Sequence, residues 1–320
     1  MYNFTLNSIK NAYKNIKGYI RKTPLIHSAY FSELCHNNVY LKLENLQLTN
    51  AFKIRGALNR MLHLSSQEKA QGIITASSGN HAQGIALAAK YLRIPTKIVV
   101  PLNISEVKLN KIKHYDVTII QEGDFDEIET KARTISLREN ITYISPYNDI
   151  DIIAGQGTIA LEIYEDLKNV DIIIVPIGGG GLISGIAFAA KGLNPNIKIF
   201  GVQTHGASTM YESWKAGKII NIKEFNTIAE GLLGGLESNA ITFEIVQKYV
   251  DEIVLVQEES IKKAIRLLWE IEGQVVEGAG ATVVAYILEE QKKLRNKNVV
   301  AVISGGNINN SFFKEILNKG

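Results

Sequence analysis

One cysteine, six prolines and a net charge of only +3 across 320 residues set the first limits. A lone cysteine, Cys35, cannot close a disulfide within the chain, so the oxidised scaffolds of small secreted domains are excluded. Free cysteine behaves as a small apolar side chain, and Cys35 is expected in the core. The near balance of 35 basic against 32 acidic residues leaves no field able to hold a phosphate backbone, so no nucleic-acid partner is expected. Met1 to Lys17 lacks the continuous apolar stretch of a secretory signal. A cytoplasmic protein is the expectation.

Long apolar runs are scarce too, with one exception. Ile172 to Ala190 carries no charge and approaches the ~20 residues that cross a bilayer. Pro176, the glycines Gly178 to Gly181, Ser184 and Gly185 interrupt it, and lipid cannot satisfy the backbone that such glycines expose. A buried strand, a turn and a helix fit the run better, and no membrane partner is expected.

What is present is an ordinary globular composition, 46% apolar and 21% charged, in a length that suits about two domains. β-Branched runs recur at Val39 to Leu43, Gly72 to Thr75, Lys97 to Val100, Val117 to Gln121, Ile172 to Ile177, Lys198 to Val202, Ile253 to Val256 and Val299 to Ile303. Between most of them lie stretches with apolar residues three and four apart, such as Asn80 to Leu92, Phe125 to Arg138 and Ser260 to Ile271. The alternation predicts α/β architecture with parallel sheets, and ligands at the carboxyl ends of the strands.

Three strand-to-helix turns carry chemistry. Ser77-Ser78-Gly79-Asn80-His81 precedes a helix predicted over Ala82 to Leu92 and gathers hydroxyls, an amide, an imidazole and helix N–H groups that could grip a carboxylate or phosphate. Simple capping is the competing reading. Gly178 to Gly181, before a helix over Leu182 to Lys191, lets a phosphate approach bare N–H donors. A tight turn or a dinucleotide fingerprint would look similar, but the G-x-G-x-x-G is degraded and the next strand ends in Gln203, where a ribose-binding carboxylate is wanted. Thr49-Asn50-Ala51-Phe52-Lys53 leads into a helix predicted over Lys53 to Leu64, and a lysine set against a helix dipole loses its proton more readily, as Schiff-base chemistry requires. A solvated surface lysine is the ordinary alternative. H-E-x-x-H, the P-loop and G-x-S-x-G are all absent, and the six histidines are scattered, so no metal centre is predicted.

Taken in order, Glu44-Asn45-Leu46-Gln47, Ala51-Phe52-Lys53-Ile54-Arg55-Gly56-Ala57, Ser77 to His81, Ala154-Gly155-Gln156-Gly157-Thr158, the glycine run and Ser304-Gly305-Gly306-Asn307 resemble the fold-type II pyridoxal phosphate enzymes. Within them the chain is similar to the serine/threonine ammonia-lyase (threonine dehydratase) and serine racemase group, in register from about Arg21 to the last strand. The resemblance implies two parallel-sheet, three-layer domains of tryptophan synthase β-like architecture. The large one spans residues 1–46 and 145–320, and the small, mobile one 47–144.

It further implies that Lys53 is the Schiff-base lysine, with Phe52 against the cofactor ring. Asn80 would hydrogen-bond the pyridine 3-hydroxyl, and Ser77, Ser78, Asn80 and His81 would border the substrate. Gly178, Gly179, Gly180 and Gly181 would cradle the cofactor phosphate, and Ser304 would face the pyridine nitrogen. A serine there cannot keep that nitrogen protonated as an aspartate would, so the ring is a weaker electron sink and β-elimination suits it better than transamination. Glu277 matches a segment near the ring, with a helix-start carboxylate as its plain alternative.

Departures from the family pattern carry expectations of their own. Asn50-Ala51 replaces Gly-Ser, Ala229-Glu230-Gly231 replaces Ala-Asp-Gly, and Gln203, Ala207 and Thr209 stand where many members ligate a cation. Without those carboxylates no divalent dependence is expected. The chain closes at Gly320, which implies no appended regulatory domain and no feedback inhibition by isoleucine.

The activity implied is β-elimination of L-threonine and L-serine to 2-oxobutanoate or pyruvate and ammonium, by a homodimer or higher homo-oligomer. Ser78 would be the second catalytic group if the chain instead racemises serine. Hydroxyaspartate or a hydroxyectoine derivative are alternative substrates, and a catalytically silent amino-acid sensor is the alternative of another class.

Overall fold

The computed structural model describes residues 4–290 and 296–318. Among these residues, ten strands form two sheets. The larger takes β1 (Leu25–Ser28), β2 (Asn38–Leu43), β7 (Ile172–Pro176), β8 (Lys198–Thr204), β9 (Glu252–Val256) and β10 (Asn298–Ile303), in the order β1-β2-β10-β7-β8-β9. The smaller takes β3 (Ile73–Ala76), β4 (Thr96–Val100), β5 (Thr118–Gln121) and β6 (Thr142–Tyr143), in the order β5-β4-β3-β6. All pairings are parallel except that of β1 with β2.

Parallel strands covered on both faces read as continuous apolar runs, and every residue of β7 is buried. Alternate side chains of β10 part to opposite faces, as a period of two demands. Val299, Ala301 and Ile303 join the cluster of helices Glu258–Glu270 and Gly278–Glu289, while Val300 and Val302 join that of Ile150–Asp166 and Gly181–Leu193. Helix Ile128–Glu139 covers one face of the smaller sheet, and helix Asn80–Leu92 the other. Cys35 lies buried in the core of the larger sheet, as expected.

Eight strands lie where the β-branched runs place them. The two others are the short β1 and the two-residue β6, which offer no run to read. No helix among the described residues is long and apolar enough to cross a membrane, and the uncharged run divides into β7, the glycine turn and a helix.

A buried ionic cluster joins the strands to the helices beneath the functional turns. Arg55 donates to both oxygens of Glu44 and both of Glu162 over 2.7 to 2.9 Å, and Lys42 donates to Glu162 over 2.6 Å and to the Thr23 carbonyl over 2.7 Å. All four ionic side chains are fully buried, and two cations balance two carboxylates. Burial alone would raise the Glu44 carboxyl, but Arg55 and Lys42 outweigh it and hold it below the usual carboxylate range. Beside Arg55, helix Ile54–Leu62 crosses helix Ile150–Asp166 so closely that a Cβ on Gly155 would lie 2.6 Å from the Gly56 Cα.

Candidate active site

The loop before Lys53 is stitched to the turn after β10. The Phe52 amide donates to the Ser304 carbonyl over 3.1 Å, the Gly306 amide donates to the Asn50 carbonyl over 2.8 Å, and Ala51 pairs with Gly305 in an antiparallel bridge. Asn50 takes a left-handed φ of 53°, a conformation asparagine tolerates where most residues resist it, which explains why it can stand in place of glycine. Lys53 then caps helix Ile54–Leu62 from outside, one position earlier than expected. Its Nζ donates to the Pro146 carbonyl over 2.9 Å and lies 5.3 Å from the Phe52 ring centroid. Burial pushes its pKa down to about 8, against the opposing pull of Glu277. The lysine is activated as its position suggests, but by desolvation.

Gly178 to Gly181 follow β7, and the helix begins at Gly181. A Cβ on Gly179 would sit 2.5 Å from the Tyr147 ring, and Gly180 holds a φ of 87° as N-cap. The amides of Gly178 to Gly181 have no hydrogen-bond partner among the described residues. Consecutive residues thus link the two elements, since Pro146 receives the Lys53 amine and Tyr147 packs on the glycines.

Asn80 and His81 lie inside their helix, which starts at Asn80 with Gly79 as N-cap, two residues before the position predicted. Ser77 Oγ accepts from the Gly79 amide, so it shapes the turn. Asn80 Nδ2 donates to Glu277 over 2.6 Å, and its Oδ1 accepts from Asn307 over 2.8 Å. Asn307 also donates to the Thr49 carbonyl and accepts from Lys111 over 3.0 Å. Glu277 stands at a helix N-cap, yet makes no capping bond. Burial raises its carboxyl, although Asn80 and Lys111 pull the other way. His81 is buried and paired with Thr75 over 3.1 Å, and burial, then the Lys53 charge, hold the imidazole well below its ordinary pKa. Ser304 is buried at the end of β10.

The donor set fits pyridoxal phosphate. Bare, unpartnered amides at a helix start suit a phosphate dianion, and an amine with a pKa of about 8 suits an aldehyde. The family model described as pyridoxal-phosphate dependent enzyme matches residues 16–305. The chain belongs to that family. The enzyme is 44% identical over 317 residues to an L-threonine ammonia-lyase of Thermotoga maritima, covering 99% of this chain and 79% of that one. It is 45% identical over 309 residues to a catabolic L-threonine dehydratase of Staphylococcus aureus, covering 95% and 89%. A solved maize serine racemase superposes with a TM-score of 0.93 at 35% identity, covering 99% of this chain and 98% of that one. The enzyme is therefore pyridoxal phosphate dependent and has the fold-type II architecture.

Some of its working parts carry no local signal. Tyr147, Thr242 and Lys111 reach the site only through the packing of distant segments, whereas Asn307 closes the Ser304-Gly305-Gly306-Asn307 block. Glu230, which replaces the usual aspartate, accepts from Lys108 over 2.6 Å across the two sheets. Of the three positions aligned with a cation site, Thr209 donates to Glu224 over 2.7 Å and Gln203 bonds only to backbone.

Proposed function

We propose that the enzyme is an L-threonine and L-serine ammonia-lyase, converting them to 2-oxobutanoate or pyruvate with release of ammonium. The observation that carries this reading is the depressed Lys53 amine, joined through Pro146 and Tyr147 to an unpartnered glycine loop, in a chain 44% identical to an L-threonine ammonia-lyase. Pyridoxal phosphate, when bound, supplies an aldehyde for the substrate amine and a ring that draws electrons from the α-carbon.

The protein's own groups do the rest. The amides of Gly178 to Gly181 would hold the phosphate, and Phe52 would flank the ring. Asn80, its amide turned by Glu277 and Asn307, would meet the 3-hydroxyl, and Ser304 would meet the ring nitrogen. Ser77, Ser78 and the first helical turn at Asn80 and His81 receive the substrate carboxylate. Lys53 Nζ, neutral at a moderately alkaline pH, takes the α-proton. The body built on the smaller sheet, within residues 47–144, closes over the substrate and excludes water.

The same reading makes the enzyme a cytoplasmic homo-oligomer, supported by its single buried cysteine and by the symmetric assembly usual in soluble enzymes. The likeness to a serine racemase favours one rival, in which Ser78 returns a proton to the opposite face. Incubation with L- and D-β-hydroxy amino acids, scored for 2-oxo acid and for inverted amino acid, separates the two. The lyase gives 2-oxobutanoate from L-threonine. Formation of D-serine from L-serine without oxo acid overturns the proposal.

A further inference from the structure

Gln203 lies within β8 with 1% of its surface exposed, and the reaction proposed above makes no use of it. Its amide is committed at both ends. Nε2 donates to the Ile177 carbonyl over 3.1 Å, and Oε1 accepts from the Tyr211 amide over 2.7 Å. Ile177 is the residue before the glycine loop. Tyr211 stands in the first turn of helix Thr209–Ala216, whose N-cap Ser208 supplies no side-chain bond. First-turn amides need partners from outside their helix, and Gln203 reaches across from the strand to be one.

The helix anchored in this way carries Met210, whose methyl would lie 2.8 Å from a Cβ on Gly180. From the other side, Thr242 Oγ1 donates to the Gly179 carbonyl over 2.8 Å, and the Ser184 amide donates to that of Gly180 over 2.9 Å. In a planar trans peptide the carbonyl and the following N–H point in opposite directions. Tying back the carbonyls of Ile177, Gly179 and Gly180 therefore aims the amides of Gly178, Gly180 and Gly181 away from those partners.

We propose that Gln203 is a positioning residue for anion binding, which orients the Gly178 amide toward the cofactor phosphate by holding the Ile177 carbonyl. The role needs one donor and one acceptor on the same group, which a thioether or an aliphatic side chain cannot provide. The inference rests on the reading that the glycine loop receives the phosphate.

The test compares pyridoxal phosphate with unphosphorylated pyridoxal, each titrated into the full-length enzyme freed of cofactor. Gln203→Met removes the donor to Ile177 and the acceptor for Tyr211 without adding charge. It is expected to weaken pyridoxal phosphate about tenfold or more, the usual cost of one unsatisfied buried polar group, while pyridoxal binds as before. Inorganic phosphate should also compete less well with pyridoxal phosphate in the variant. An unchanged preference for the phosphorylated form in folded Gln203→Met overturns the inference, as does an equal loss for both ligands. Gln203→Leu gives the same readings should the methionine variant not fold. If the wild-type enzyme itself shows no preference, the assignment of the loop is what fails.

Discussion

Asn80 and Glu277 meet at 2.6 Å across 197 residues of chain, in a bond that ties the start of a helix on the smaller sheet to one packed on the larger. Asn307 takes the other end of the Asn80 amide, so its orientation has no freedom left. In Asn80→Asp an oxygen would face the Glu277 carboxylate at that distance, and two such groups can coexist only by sharing a proton. The activity of the variant relative to wild type should therefore fall as the pH rises and the shared proton is lost. A ratio that stays flat from pH 6 to pH 9 would show that the contact has no influence on the reaction.

Lys53 should be the one lysine whose loss ends turnover. Lys53→Ala is expected to abolish both activity and the imine absorbance, and borohydride reduction of the loaded wild-type enzyme should leave a pyridoxyl group at residue 53. With burial pushing the amine's pKa down to about 8, the neutral fraction falls about tenfold per pH unit below that value. The rate at which the cofactor-free enzyme takes up pyridoxal phosphate should rise with pH and level off above about 8. A continued rise toward the ordinary lysine range would place the reactive amine elsewhere.

Gly179→Ala would force a methyl to within 2.5 Å of the Tyr147 ring. Tyr147 is buried, with its hydroxyl holding the Glu237 amide over 2.8 Å, so the loop must shift instead. Cofactor affinity should drop at least tenfold, read by dialysis against pyridoxal phosphate. Gly18→Ala, where nothing lies within 4 Å, serves as the control and should change nothing.

The buried cluster makes a prediction about stability. Glu162 receives two bonds from Arg55 and one from Lys42, all within the interior. In Glu162→Gln the two cations face a single carboxylate, and breaking a buried pair costs roughly 3 to 5 kcal/mol. Denaturant unfolding should show a loss of that order. A loss below about 1 kcal/mol would mean the cluster behaves as a surface pair does.

Divalent cations should not govern activity. Hard cations seek anionic oxygen, and at the aligned positions Gln203 and Thr209 present an amide and a hydroxyl that are already engaged. EDTA is expected to leave turnover unchanged, and a rise with Mg²⁺ that EDTA reverses would refute this.

Eight of the ten described strands, helices such as Asn80–Leu92, Ile128–Glu139 and Glu258–Glu270, and the three functional turns follow from local pattern. Strands buried on both faces must be apolar along their whole length, and a backbone that meets a phosphate must be bare, so β7 and Gly178 to Gly181 announce themselves. β1 and β6 are too short to show a pattern, and they exist because a neighbouring strand offers its edge. Lys42, Glu44, Arg55 and Glu162 are each legible only as a charge inside an apolar stretch. Their pairing appears when a strand, a turn and two helices converge.

Local order along the chain therefore decided which element each residue occupies, because hydrophobic period, glycine and capping act over a few neighbours. Whether Lys53 loses its proton, which way Asn80 turns and what holds the glycine loop depended on burial and on bonds between segments far apart in the chain. Desolvation and hydrogen-bond direction belong to an environment, and only tertiary packing creates one.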